Sequence, residues 1–87
     1  MRSLDISQFA EGGLIREESF RQAVENFDWK QFQGKRVLVA GCAQIPIPTW
    51  AYMMVTAKLA QFADSINYGE ATAPLTIYTK EKETVKP

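Results

Sequence analysis

RVLVAGCAQIPIPTWAYMM, Arg36 to Met54, is the stretch in which this chain passes from strand to helix. Val37, Leu38 and Val39 form an unbroken apolar run of β-formers. That pattern predicts a strand covered on both faces, because a half-solvated strand alternates. Gly41 to Ile47 then read as a loop. Pro48 suits the first position of a helix, where its missing N–H costs no hydrogen bond. The helix is predicted over Pro48 to Ala63. Ala51, Val55, Leu59 and Phe62 make its core-facing seam, and Lys58, Gln61 and Ser65 its polar stripe. Trp50, Tyr52, Met53, Met54, Ala57, Ala60 and Ala63 extend the apolar surface well beyond one seam.

Working outward, REESFRQAVENFDW (Arg16–Trp29) places Phe20, Val24 and Phe27 at i, i+4 and i+7 of a second helix. Glu17 and Glu18 stand at its positive end. Trp29 and Phe32 follow in a segment closing at Gly34 and are expected to pack under that helix. Leu4 and Ile6 alternate with polar residues, as in a brief strand before the Gly12-Gly13 turn. Downstream, SINYG (Ser65–Gly69) and LTIYTK (Leu75–Lys80) read as two further strands, with Pro74 at the start of the last. Strand, helix and strand in immediate succession make a βαβ unit with parallel neighbours. The expected fold is a compact α/β domain over residues 1–80, two helices on a small, mainly parallel sheet of three or four strands. The polar residues 81–87 are expected to fray.

Composition narrows the chemistry. An 87-residue chain with 46% hydrophobic and 23% charged residues is globular rather than disordered. Ten basic and ten acidic residues cancel, which removes a general attraction to phosphate backbones or anionic lipid, so neither nucleic acid nor membrane is an expected partner. The weakly charged run Val37 to Ala57 is interrupted by Gly41, Gln44, Pro46 and Pro48 and cannot form the roughly 20-residue apolar helix of a membrane span. The N-terminal residues lack the pattern of a secretory signal. Cys42 is the sole cysteine, which excludes an intramolecular disulfide and fits a reducing compartment; the expected location is cytoplasmic. Histidine is absent. That excludes Ser-His-Asp and Cys-His machinery and the commonest zinc ligand, so no metal and no cofactor is expected.

LIREESFRQAVENFDWKQFQGKRV (Leu14–Val37), IPTWAYM (Ile47–Met53) and INYGE (Ile66–Glu70) are similar to a family of uncharacterised bacterial proteins known only as a domain of unknown function. The resemblance runs from about Leu4 to Lys80, and Pro48 to Tyr52 is its most distinctive part. Members look like two tandem copies of one α/β unit. Gly41-Cys42 with Pro46 and Pro48 resembles the corresponding segment of the second copy. This chain has a single unit, so the resemblance implies that a dimer could stand in for the tandem pair. It implies nothing about an activity.

Two classes of function follow from the candidate residues. Cys42 lies between a strand's carboxyl end and a helix N-terminus, the edge at which open α/β sheets bind ligands and where a thiol's pKa can be lowered. Gly41, Cys42, Pro48, Thr49 and Trp50 are therefore the candidate ligand-binding residues of a small-molecule-binding or thiol-dependent enzyme. Against that, the loop has one glycine, no cation of its own and two prolines that remove N–H donors, and a free cysteine also serves as a small buried hydrophobe. Glu17, Glu18, Glu25 and Asp28 read as the solvated side of a helix, not an acid/base pair, and no catalytic residue is identified. The preferred reading is a non-catalytic module that self-associates as a homodimer or binds a protein partner. Met53, Met54 and Ala57 are the expected interface, since methionine and aromatic side chains are typical anchors.

With no base beside it, Cys42 is expected to react slowly with thiol reagents in the native protein, and Cys42→Ser to leave the fold intact. Rapid modification at neutral pH, at a rate requiring a depressed pKa, would return the enzyme reading to first place.

Overall fold

In the computed structural model of the chain, residues 1–41 and 44–80 are described; Cys42, together with the thiol reading that rests on it, and the tail 81–87 lie outside the described residues. Four strands, β1 (Arg2–Asp5), β2 (Arg36–Ala40), β3 (Ser65–Glu70) and β4 (Ala73–Thr79), form one sheet in sequence order. Helix α1 (Glu17–Asn26) connects β1 to β2, and α2 (Thr49–Leu59) connects β2 to β3. Both connections join parallel neighbours. β4 returns antiparallel beside β3 through a two-residue turn at Ala71-Thr72. This is the α/β class expected, with four strands.

The two helices share one face of the sheet. Leu4, Val37, Val39 and Ile66 point into a core completed by Phe20 and Val24 of α1 and by Ala51, Val55 and Leu59 of α2. The seam predicted for α2 is correct over these three residues, all fully buried, while Phe62 lies past the helix and is half-buried. Two details of that helix differ from expectation. It ends at Leu59 rather than Ala63, with Ala60 as its C-cap. Pro48 is the N-cap and not the first helical residue: its φ of −63° fits a helix but its ψ of 149° is extended. The proline fixes the angle of entry one residue earlier than its propensity indicates.

Trp29 and Phe32 sit on a short 3₁₀ turn (Trp29–Phe32) and are buried beneath α1. The Trp29 indole N–H donates to the Val24 carbonyl at 2.7 Å, capturing a carbonyl of the last helical turn that has no partner within the helix. Phe27 closes against Trp29 with ring centroids 4.8 Å apart. The aromatics just after α1 thus fasten its C-terminal end.

On the other face Leu38 is buried although it is not part of the helix-side core. Its register partners there are Ser3 and Asn67. Asn67, 4% exposed, is the buried polar residue of the described chain. Its Nδ2 donates to the Val37 carbonyl (3.2 Å) and to Ser65 Oγ (3.3 Å), and its Oδ1 accepts from Thr76 Oγ1 (2.9 Å). One amide therefore links β2, β3 and β4, with every buried polar atom satisfied as burial demands.

Val55 lies in the interior of α2 and is fully buried. Val55→Pro is expected to remove a helical hydrogen bond and cost about 3 kcal/mol or more. A thermal melt coincident with the parent's would rule out α2 as described.

Candidate functional site

The hairpin that adds β4 brings no helix with it. α2 ends its coverage at β3, and a groove of about 630 Å³ opens between α2 and the β3–β4 hairpin. Thr49, Tyr52, Met53, Thr56 and Ala57 form the helix wall; Ile66, Tyr68 and Ile77 form the sheet wall. The lining is almost wholly apolar, and its polar atoms are the hydroxyls of two tyrosines and two threonines with Asn67 at the margin.

Sequence dictates this shape locally. Tyr68 and Ile66 alternate onto the helix face of β3, and the Tyr52 ring meets Tyr68 edge-on with centroids 5.3 Å apart. In β4 the pairing skips a residue: Ile66 opposes Tyr78 and Asn67 opposes Thr76, leaving Ile77 as the extra residue of a bulge. The bulge carries Ile77 onto the groove wall. Leu75 stands beside it, opposite Tyr68. Met53 is 66% exposed, Leu75 62%, Ile77 51% and Tyr68 44%. Among the described residues only Met1 and Leu14 are comparable exposed hydrophobics. Three of the six, Met53, Tyr68 and Ile77, therefore line one groove and a fourth, Leu75, stands opposite Tyr68, which separates this patch from ordinary scattered surface hydrophobics.

The predicted interface residues fall on two sides of α2. Met53 and Ala57 line the groove, while Met54 turns to the α1 side and packs against the core beside Arg21 and Lys58. Of the predicted ligand-binding residues, Thr49 reaches the groove and Trp50 does not: its ring meets Phe20 edge-on at 5.6 Å, in the core under α1. Pro48 caps α2. Tyr68, Leu75 and Ile77 were not singled out by sequence reasoning. The signal available for them was a final strand with two large apolar residues and no helix following to cover it.

Gly41 has a packing role. A methyl group on it would lie 2.7 Å from the Tyr52 hydroxyl oxygen and 3.0 Å from Ile47 Cγ1, closer than real side chains allow. The glycine lets Tyr52 lie across the end of β2. The carboxylates on α1 are in surface pairs, Glu17 with Arg21 at 2.7 Å and Glu25 with Lys58 at 3.6 Å. Neither converges with the groove. Asp5 Oδ1 accepts from the Ser7 backbone N–H (2.9 Å) and Ser7 Oγ (2.7 Å), capping the turn after β1. Among the described residues no group of acidic or thiol side chains is placed to hold a metal ion. No described helix is long and apolar enough to cross a membrane.

The Tyr52 phenol is pushed above its usual pKa, chiefly by burial, then by the adjacent Tyr68 phenol, with a further push from Asp5. The neutral form is the one the fold favours. This contribution to stability is complete below the ordinary tyrosine pKa of about 10 and is lost as pH rises through the higher folded value. Phenolate absorbance assigned by comparison with Tyr52→Phe is expected to appear above pH 10. Ionisation of Tyr52 at or below that pH would contradict the packing described.

The chain resembles neither a curated protein nor a solved structure to a significant degree. A family model described as "Protein of unknown function (DUF2480)" matches residues 1–84, nearly the whole chain. By that match, the protein belongs to the DUF2480 family.

Proposed function

We propose that this is a non-catalytic module that associates with an apolar protein surface, a second copy or a partner, through the groove between α2 and β4. The observation that supports it is the convergence of Met53, Tyr68 and Ile77, all substantially exposed, on one apolar groove, with the exposed Leu75 opposite Tyr68 beside it. Methionine and aromatic side chains adapt to and anchor protein contacts. The groove's few polar groups are neutral hydroxyls, which satisfy a rim without demanding a charged ligand. The location is proposed to be cytoplasmic, because the single cysteine, unable to form an intramolecular disulfide, fits a reducing compartment.

A small-molecule site is the second reading. It is favoured by the groove's volume, within the range of about 300–1,000 Å³ typical of ligand pockets, and by its place beside the carboxyl end of β2. The paired tyrosines would then face an apolar or aromatic ligand.

Mass in solution at micromolar concentration, with fluorescence of an apolar dye, tests the first reading. The parent is expected to exceed monomer mass or, as a monomer, to light the dye. The double variant Met53→Glu/Ile77→Glu is expected to lose whichever signal the parent shows, by tenfold or more in affinity. A parent that is monomeric and dark to the dye overturns it, as does a double variant indistinguishable from the parent.

A further inference from the structure

The sheet has two open edges, and they are built differently. β1 is four residues long, begins at Arg2 and ends at Asp5, and runs directly into a 3₁₀ turn. Short length and charge are the usual protections of an edge strand against pairing with another chain. β4 is seven residues long and carries no charge from Ala73 to Thr79. It is hydrogen-bonded to β3 alone, and all its residues except Tyr78 are exposed. Its protections are the Pro74 ring near one end and the bulge at Ile77, and the bulge turns that side chain toward the groove rather than guarding the edge.

We infer that β4 pairs antiparallel with β4 of a second copy about a two-fold axis at Thr76, joining two four-stranded sheets into one of eight. The inference rests on the association proposed above and names its partner. Two features favour a second copy over an unrelated strand. A two-fold axis at Thr76 sets Leu75 opposite Ile77 of the second copy, and the reverse, so the exposed apolar pair covers itself. The same arrangement carries Lys80 of each copy to the turn end of the other, where Glu70 stands opposite Ala73. Opposite charges then flank a neutral strand at both ends, whereas parallel pairing would set Lys80 beside Lys80.

The experiment uses the full chain with Cys42→Ser, so that an introduced cysteine is the only thiol. Opposed residues of an antiparallel pair lie within disulfide reach. Thr76→Cys is expected to give a disulfide-linked dimer nearly quantitatively under mild oxidation, and Glu11→Cys on the far side of the chain is not. In the cysteine-free chain Ile77→Lys, an edge charge at a half-exposed position, is expected to weaken the dimer at least tenfold while the monomer stays folded. A dimeric parent that fails to cross-link at Thr76 and survives Ile77→Lys overturns the strand pairing but leaves groove association standing if Met53→Glu/Ile77→Glu dissociates it. A parent that is monomeric but lights the apolar dye overturns the second copy as occupant while the groove reading stands. A parent that is monomeric and dark overturns both.

Discussion

Val37 and Val39 of β2 lie beneath the Ala51, Val55 and Leu59 stripe of α2, and the placement of everything else is set by how that contact is shared. Neighbouring strands are about 4.8 Å apart, whereas packed helices need about 8–10 Å between axes. Two helices that each bridge one adjacent strand pair therefore cannot both sit over their own pair, and must splay. α1 is displaced toward the β1 side, where Phe9 wedges against Phe20 and Phe27 at 5.6 and 5.3 Å. α2 is displaced toward β3, where Tyr52 reaches Tyr68. The cover stops there, because the β3–β4 hairpin contributes a strand without a helix. The groove is the part of β3 and β4 that neither helix covers.

The opposite face meets the same shortage of cover in another way. With no helix over it among the described residues, it presents small and polar side chains, Ser3, Asn67 and Thr76, around the buried Leu38. Asn67 replaces apolar packing with hydrogen bonds to three strands, and the bonds are of value because the amide is buried and fully satisfied. The register of β4 beside β3 is pinned from this side. That pinning holds the bulge at Ile77 and fixes which residues reach the groove.

Much of the fold was legible because periodicity reports burial directly. The continuous Val37-Leu38-Val39 run did mean burial on both faces, although no described helix lies over Leu38. The α2 seam followed from 3.6-residue spacing. What sequence did not disclose depends on coordinates of two distant segments at once. Met53 and Met54 are adjacent and chemically identical, yet 100° of helical rotation places one on the groove and the other against α1. Trp50, a candidate ligand-binding residue by sequence, is held by Phe20, thirty residues earlier. The bulge that recruits Ile77 has no glycine or other marker in TIYT. Glycine did mark one close approach: Gly41 was read as a turn, and its stronger constraint is the phenol of Tyr52 lying where a side chain would go.

The apolar identity of the groove is not explained by the stability of one copy. Burying a side chain such as Leu, Ile or Met fully is worth about 1.5–3 kcal/mol, and Met53, Leu75 and Ile77 each leave half or more of their surface in water. A large part of that gain is unrealised in a domain whose whole stability is expected to be about 5–15 kcal/mol. Threonine would suit the place of Leu75 opposite Tyr68 about as well, and lysine at the unpaired Ile77 would protect the edge. Local propensity, turn chemistry and core packing agree with one another throughout β1 to β3. The disagreement is confined to β4 and the α2 face beside it, and a confined disagreement of that kind is where function is to be sought.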